Sequence, residues 1–117
     1  MLVETITLDK FIENYKINIK EISLIKIDIE GGEKIVIPNI IQILSTNNNI
    51  SLLLSLHWHC LKINDIKNIL TELFKIYNYC YIYNNKNIIM LKLIDILDKT
   101  NKYYPINQSI LFTNKPI

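Results

Sequence analysis

The chain has 117 residues with a net charge of +2 at pH 7, and half of them are apolar, which is enough to build the core of one domain. It contains no arginine, the residue best suited to bidentate recognition of bases and phosphates, so a nucleic-acid partner is disfavoured. No apolar run approaches the roughly 20 residues that span a bilayer and no signal peptide is visible, so we expect a cytoplasmic protein without a membrane partner.

The apolar spacing in the first half of the chain predicts two strands and three short helices. Asp9 is the predicted cap of the first helix. Pro38 suits only the first turn of a helix, so we expect it to begin a helix rather than to lie inside one. The predicted elements are a strand over 2–8, a helix to residue 15, a strand over 24–29, and helices over 31–37 and 38–44.

The second half continues the alternation of strand and helix, with Asn64 as the predicted cap of its first helix. This order predicts an α/β fold with a mostly parallel sheet, helical crossovers, and helices on both faces, formed by residues 1–117 as a single unit. The predicted elements are a strand over 50–58, a helix to residue 77, a strand over 79–84, a short strand from residue 88 that runs into a helix at about 91–99, and a strand over 109–114.

Acidic residues surround the only two glycines of the chain in the stretch "IDIEGGE", directly after a buried strand. Ligands of open parallel sheets bind beyond the carboxyl ends of the strands, where Asp28, Glu30 and Glu33 are expected. Gly31 and Gly32 would let the backbone turn sharply and approach a ligand. Two hypotheses remain open: a ligand site, or a structural end of the strand in which Glu33 caps a helix and Glu30 faces water.

Two histidines end the next predicted strand, "LLLSLHWH". On an extended strand His57 and His59 point to the same side, and a parallel neighbour would bring them to the rim that holds Asp28. His57 is a candidate acid or base because its ordinary pKa is about 6.5. Alternatively, Asp28, His57 and His59 bind a metal ion, or His59 is a half-exposed loop residue. Trp58 either packs in the core or forms a platform for a ligand.

The two cysteines, Cys60 and Cys80, lack the spacing of a zinc or redox motif. We expect them to be reduced thiols, mostly packed in the fold. The leading hypothesis therefore includes no metal.

Three stretches in this order, "TLDKFI", "LIKIDIEGGEKIVI" and "LLLSLHWH", resemble the C-terminal half of the FkbM family of S-adenosylmethionine-dependent methyltransferases. That family has a Thr-Leu-Asp stretch leading a helix and a strand end of the form Lys-(Ile/Val)-Asp-(Ile/Val)-Glu-Gly-x-Glu. A further apolar strand of the family ends near an acid and a histidine. The tail of the chain also resembles the ends of family members, so the resemblance covers most of the sequence.

The resemblance implies a partial Rossmann-like sheet of the class I methyltransferase type. It implies transfer of a methyl group from S-adenosylmethionine to a small-molecule acceptor, a hydroxyl of a sugar or small metabolite. The implied site consists of catalytic Asp28 and His57, cofactor-binding Asp28, Glu30 and Gly31, and substrate-binding Glu33, Trp58 and His59.

The sequence departs from the family in two places. Ser55 stands where the family has an acid, two residues before the histidine. The glycine-rich loop and the ribose-binding acid of a class I methyltransferase are absent, because Gly31 and Gly32 are the only glycines. We therefore expect that the N-terminal cofactor-binding half is missing, and that the chain is a truncated or split product that is inactive and binds no cofactor alone.

A missing N-terminal half would leave the sheet open to a partner chain. The strand at 24–29 would lie at an open edge of the sheet, where it could pair with an N-terminal half chain or with a second copy. Two other functions remain open: a non-catalytic binding or assembly remnant that pairs with a partner chain, and a small metal-dependent hydrolase that uses Asp28, His57 and His59.

Overall fold

The computed structural model describes residues 5–117, which form a five-stranded sheet with helices packed against it. Two short 3₁₀ turns, Ile19–Glu21 and Trp58–Cys60, complete the regular structure of these residues. The helices are α1 (Leu8–Asn14), α2 (Glu33–Thr46), α3 (Ile63–Ile76) and α4 (Leu93–Leu97), and the strands are β1 (Leu24–Ile27), β2 (Ser51–Leu54), β3 (Tyr79–Asn84), β4 (Asn87–Met90) and β5 (Ile110–Thr113).

The strand order is β1-β2-β5-β3-β4. Only β1 and β2 pair in parallel, whereas β5 is antiparallel to both β2 and β3, and β3 and β4 form an antiparallel hairpin. The prediction of a mostly parallel sheet is therefore wrong. The first three strands do run in one direction, as the alternation of strands and helices predicts, but β5 inserts between β2 and β3 and runs against both.

One face of the sheet carries the core. Phe112 on β5 is fully buried and packs against Phe74 of α3, with 5.4 Å between the ring centroids. The opposite face is only partly covered, since Tyr83, Ile88 and Met90 are 63%, 54% and 58% exposed. The prediction that helices cover both faces is thus not met by the described residues.

Helix α2 is continuous through Pro38, which corrects the prediction of two helices divided at this residue. Ile37, Ile40 and Leu44 lie on one stripe of α2 and are buried against the sheet. Burial of large aliphatic side chains stabilises a fold by roughly 1.5–3 kcal/mol each, which outweighs the main-chain hydrogen bond that a proline removes.

The beginning of the chain also differs from the prediction. Residues 5–7 form no strand, and the remainder of the predicted strand, residues 2–4, lies outside the described part of the chain. Thr7 is the N-cap of α1, and Asp9 lies in its first turn. Lys62, not Asn64, precedes α3. Among the described helices, none combines the length and apolarity needed to cross a membrane.

Candidate functional site

The candidate site lies where β1 and β2 end. Because these strands are parallel neighbours with Ile27 opposite Leu54, the loops that follow them leave the sheet at one edge. Asp28 comes directly after β1, and His57 lies three residues after β2. Asp28 Oδ1 is 3.2 Å from His57 Nε2, which confirms that these two side chains meet at a common rim.

A tight turn joins β1 to α2 and places this loop against the loop after β2. Glu30 and Gly31 both have positive φ, 46° and 100°. A Cβ on Gly31 would lie 2.8 Å from the Cβ of Cys60, so only glycine fits between the two loops. Gly32 has φ −72° and ψ −8° and precedes α2 as its N-cap, so it does not need the freedom of glycine. One of the two glycines is therefore required by the turn.

Glu33 is the first residue of α2, and its side chain has no solvent-exposed surface. One carboxylate oxygen, Oε1, is 2.7 Å from His57 Nδ1. The other, Oε2, accepts the main-chain N–H of Gly31 at 2.8 Å. Both oxygens are thus used inside the protein, so the arrangement does not support the expectation that Glu33 contacts substrate.

Carboxylates on both ring nitrogens set the charge of His57. The hydrogen bond to Glu33 raises its pKa above the ordinary value, and the negative charges of Glu33, Asp28 and Glu30 raise it further, against an opposing effect of burial. Burial alone would raise the pKa of Glu33. Hydrogen bonds from His57 and from the main-chain N–H groups of Glu33 and Gly31 outweigh it, so this pKa lies below its usual value. The site therefore favours an ionised Glu33 beside a readily protonated His57.

An open cavity of about 450 Å³ adjoins this pair. Ser55 lines it, and its Oγ is 2.9 Å from the Oγ of Ser109, a residue in the loop before β5. The Ser55 hydroxyl, which stands in place of the expected acid, is therefore held by the loop before β5. The residues that line the cavity are Asp28, Ser55, Leu56, His57, Trp58, His59 and Asn107.

Trp58 and His59 lie in a 3₁₀ turn rather than on an extended strand, because β2 ends at Leu54. The prediction that both histidines point to one side of a strand is therefore wrong, although both line the cavity. The rings of His57 and His59 are 6.0 Å apart and edge to face. Trp58 is half-buried, and its indole N–H donates to the carbonyl of Ile106 at 2.9 Å, so it forms a fixed wall.

No metal-binding group is built at this rim. Among residues 5–117, no three His, Cys, Asp or Glu side chains are placed to share an ion. His57 Nδ1 faces the buried Glu33, so only its other ring nitrogen, Nε2, could serve as a ligand beside Asp28 and His59. The described residues therefore do not provide the metal site that the hypothesis of a metal-dependent hydrolase requires.

Two features of the site escaped the sequence analysis. The burial of Glu33 could have been found, because positions 33, 37, 40 and 44 have the spacing of a single helical stripe, and Ile37, Ile40 and Leu44 are its apolar members. The positions of Asn107 and Ser109 at the rim could not have been predicted, because only the insertion of β5 beside β2 brings these residues there.

Among known protein families, the family model of the methyltransferase FkbM domain matches residues 1–80 of the chain. No curated protein and no solved structure matches it. The matched part contains Asp28, Glu33 and His57, and it ends within β3.

Proposed function

The chain belongs to the FkbM methyltransferase family, and from this premise we propose that Asp28 and His57 form the acceptor end of a methyl-transfer site. The acceptor is a hydroxyl of a sugar or small metabolite, which enters the cavity of about 450 Å³ at the strand ends. The observation that supports this most strongly is the chain of contacts from Asp28 through His57 to the buried Glu33.

The chemistry assigned to these side chains is proton removal. A hydroxyl oxygen that gains a methyl group must lose its proton as the new C–O bond forms. Neutral His57 takes this proton on Nε2, and Asp28, 3.2 Å away, stabilises the resulting imidazolium. S-adenosylmethionine, when bound, supplies the methyl group, and its sulfur retains the electron pair of the broken bond.

The residues present fit only part of a cofactor site. The carboxylates of Asp28 and Glu30 are partly or fully exposed at the rim and can accept hydrogen bonds from ribose hydroxyls or an amino group. Gly31 is different, because its N–H is used by Glu33 and the space beside its Cα is filled by Cys60. We therefore assign cofactor contacts to Asp28 and Glu30, and acceptor contacts to Trp58 and His59.

We propose that a second polypeptide segment supplies most of the contacts that bind the cofactor. Gly31 and Gly32, the only glycines of the chain, are used in the turn before α2 and its N-cap, which leaves none for a glycine-rich loop. The isolated chain should therefore give no measurable heat when S-adenosylmethionine is added in a calorimeter. Micromolar binding would overturn the proposal that the cofactor-binding half lies elsewhere.

Methyl transfer is tested by co-expressing the chain with the N-terminal half of a complete FkbM methyltransferase. Radiolabelled methyl groups should pass from S-adenosylmethionine to one of a panel of hydroxyl acceptors. The substitution His57→Gln should lower this transfer about 100-fold or more, since a positioned base contributes that much. Lys99→Gln, an exposed change away from the cavity, is the matched control. Transfer that is unaffected by His57→Gln would contradict the assigned role.

A second candidate function is assembly through β1. The carbonyls of Ser23 and Ile27 accept hydrogen bonds from β2 and from the residue directly after it. Successive residues of a strand direct their main-chain groups to opposite sides, so Leu24 and Lys26 direct theirs to the edge of β1 that faces away from β2. Among the described residues no strand pairs with that edge. We propose that, without a partner half chain, a second copy adds its own β1 there, because unpaired strand edges promote such pairing.

Light scattering after gel filtration tests this second candidate. The wild type and the control variant Lys26→Ala should both be dimers. Lys26→Pro should be monomeric, because proline removes the N–H at the free edge while keeping a strand-compatible backbone. A wild-type chain that stays monomeric at high concentration would exclude assembly through this edge.

A further inference from the structure

We propose that Glu33 is a positioning residue that holds neutral His57 in the tautomer protonated at Nδ1, leaving the lone pair of Nε2 at the cavity. This inference rests on the proposed function only for what Nε2 then does, which is to take the proton of the acceptor. The assignment of the tautomer itself follows from contacts within the protein.

The buried carboxylate determines which nitrogen carries the proton. An ionised carboxylate only accepts hydrogen bonds. Glu33 Oε1 lies 2.7 Å from His57 Nδ1, the distance of a charge-assisted hydrogen bond, so Nδ1 must be the donor. The lowered pKa of Glu33 agrees with an ionised group. A neutral His57 has one N–H, which is then at Nδ1.

The carboxylate itself has little freedom to move. Its second oxygen accepts the N–H of Gly31 at 2.8 Å, within the tight turn in which Glu30 and Gly31 have positive φ. Glu33 also begins a 14-residue helix, whose N-terminal end favours a negative charge. The ring of His57 is thus held from the side that faces away from the cavity, as orienting carboxylates hold catalytic histidines in other enzymes.

The other nitrogen is prepared to receive a proton. Nε2 faces Asp28 Oδ1 at 3.2 Å, and an unprotonated nitrogen beside a carboxylate is a repulsive pair of acceptors. Protonation of Nε2 converts this repulsion into a hydrogen bond. The charged or titratable groups that face the ring are Asp28 and Glu30 from the loop after β1, Glu33 from α2, and His59 from the 3₁₀ turn. Three of these four groups are acidic, so together they strengthen the base.

A purely structural role for Glu33 makes different predictions. If Glu33 only caps α2 and fills buried space, its replacement lowers stability but leaves the tautomer and titration of His57 unchanged. If it positions the ring, Glu33→Gln alters both. The amide oxygen of glutamine can accept the Gly31 N–H while its NH₂ donates to Nδ1, which moves the ring proton to Nε2.

The test is ¹⁵N NMR of the imidazole rings across a pH titration, in which only two histidines, His57 and His59, give signals. In the wild type, the neutral form of His57 should be protonated at Nδ1. In Glu33→Gln the tautomer should switch to Nε2, and the titration midpoint of His57 should move to lower pH. The matched variant Asp28→Asn should also lower the midpoint but keep the Nδ1 tautomer.

Each outcome decides the proposal. A wild-type neutral His57 protonated at Nε2 overturns it without any variant, so the test survives even if Glu33→Gln does not fold. An unchanged tautomer in folded Glu33→Gln also overturns it. If the wild type transfers no methyl group in the co-expression assay while the NMR result is as expected, the proposed function is rejected and the role of Glu33 in fixing the tautomer stands.

Discussion

The two adjacent glycines provide a sharp test of the turn before α2, because the same substitution should have different effects at each. At Gly31, φ is +100° and an added Cβ would lie 2.8 Å from the Cβ of Cys60. The left-handed backbone costs an alanine about 1–2 kcal/mol. Overpacking against Cys60 adds about 1–3 kcal/mol. Gly31→Ala should therefore lower the free energy of unfolding by roughly 2–5 kcal/mol, a large part of the total stability of an ordinary domain.

Gly32→Ala is the matched control. The φ and ψ of Gly32, −72° and −8°, are ordinary for alanine. Its Cβ would meet Ile29 Cδ1 at 3.0 Å, and this atom is the far end of a flexible side chain that is 43% exposed. The reduced entropy of the unfolded chain favours alanine by about 0.4–1 kcal/mol, whereas the weaker N-cap opposes it. The net change should stay within about 1 kcal/mol.

Urea unfolding followed by circular dichroism and by the fluorescence of Trp58, the only tryptophan, measures both changes. Gly31→Ala should lower the midpoint by roughly 1–2.5 M urea, given a slope of about 2 kcal/mol per M for a small domain. Adding Cys60→Gly should recover the part due to the clash but not the part due to the backbone. Equal losses for Gly31→Ala and Gly32→Ala would refute the conformation of this turn.

Three further outcomes are expected. Tyr77→Phe should lower the free energy of unfolding by about 1–3 kcal/mol, because the buried hydroxyl donates to the carbonyl of Ile50 at 2.8 Å. Urea unfolding measures this loss, and the same change at an exposed tyrosine, the control, should be nearly neutral. A thiol reagent at pH 8 should modify Cys60 rapidly and Cys80 only after unfolding, because Cys80 is buried with its pKa raised to about 12. Because the pKa of His57 is higher in the folded protein than in the unfolded chain, protonated His57 stabilises the fold, and this stabilisation is complete below pH 6.5. The urea midpoint should therefore fall as the pH rises through the raised pKa. His57→Gln should flatten this pH dependence.

The sequence could predict most of the elements and the direction of β1, β2 and β3, because these depend on local spacing. The lateral order of the strands depends on contacts between distant segments. β5 pairs with β2 through Leu52 and Phe112, and its antiparallel insertion has no local signal. The same limit applies to the candidate site. Asp28 and His57 could be placed together because neighbouring parallel strands end at one edge, which the structure bears out for β1 and β2.

The orientation of Glu33 follows from the apolar stripe of α2. Each residue turns a helix by about 100°, so Glu33, four residues before Ile37, lies on the same side of the helix as Ile37. Ile37 and Ile40 settle the orientation, because they must be buried and Glu33 lies on the same stripe.

Ser55 explains why the turn before α2 matters so much in this chain. The resemblance to the family places an acid two residues before the histidine, but that position is Ser55 here, which is neutral and hydrogen-bonded to Ser109. Among the described residues, the acids that act on His57 therefore come from the segment of Asp28 to Glu33. The side chains of Asp28 and Glu33 connect His57 to that segment, so its protonation depends on how the turn holds Glu33. The glycine at position 31 is thus part of the electrostatics of the site, because its N–H fixes the carboxylate that fixes the histidine.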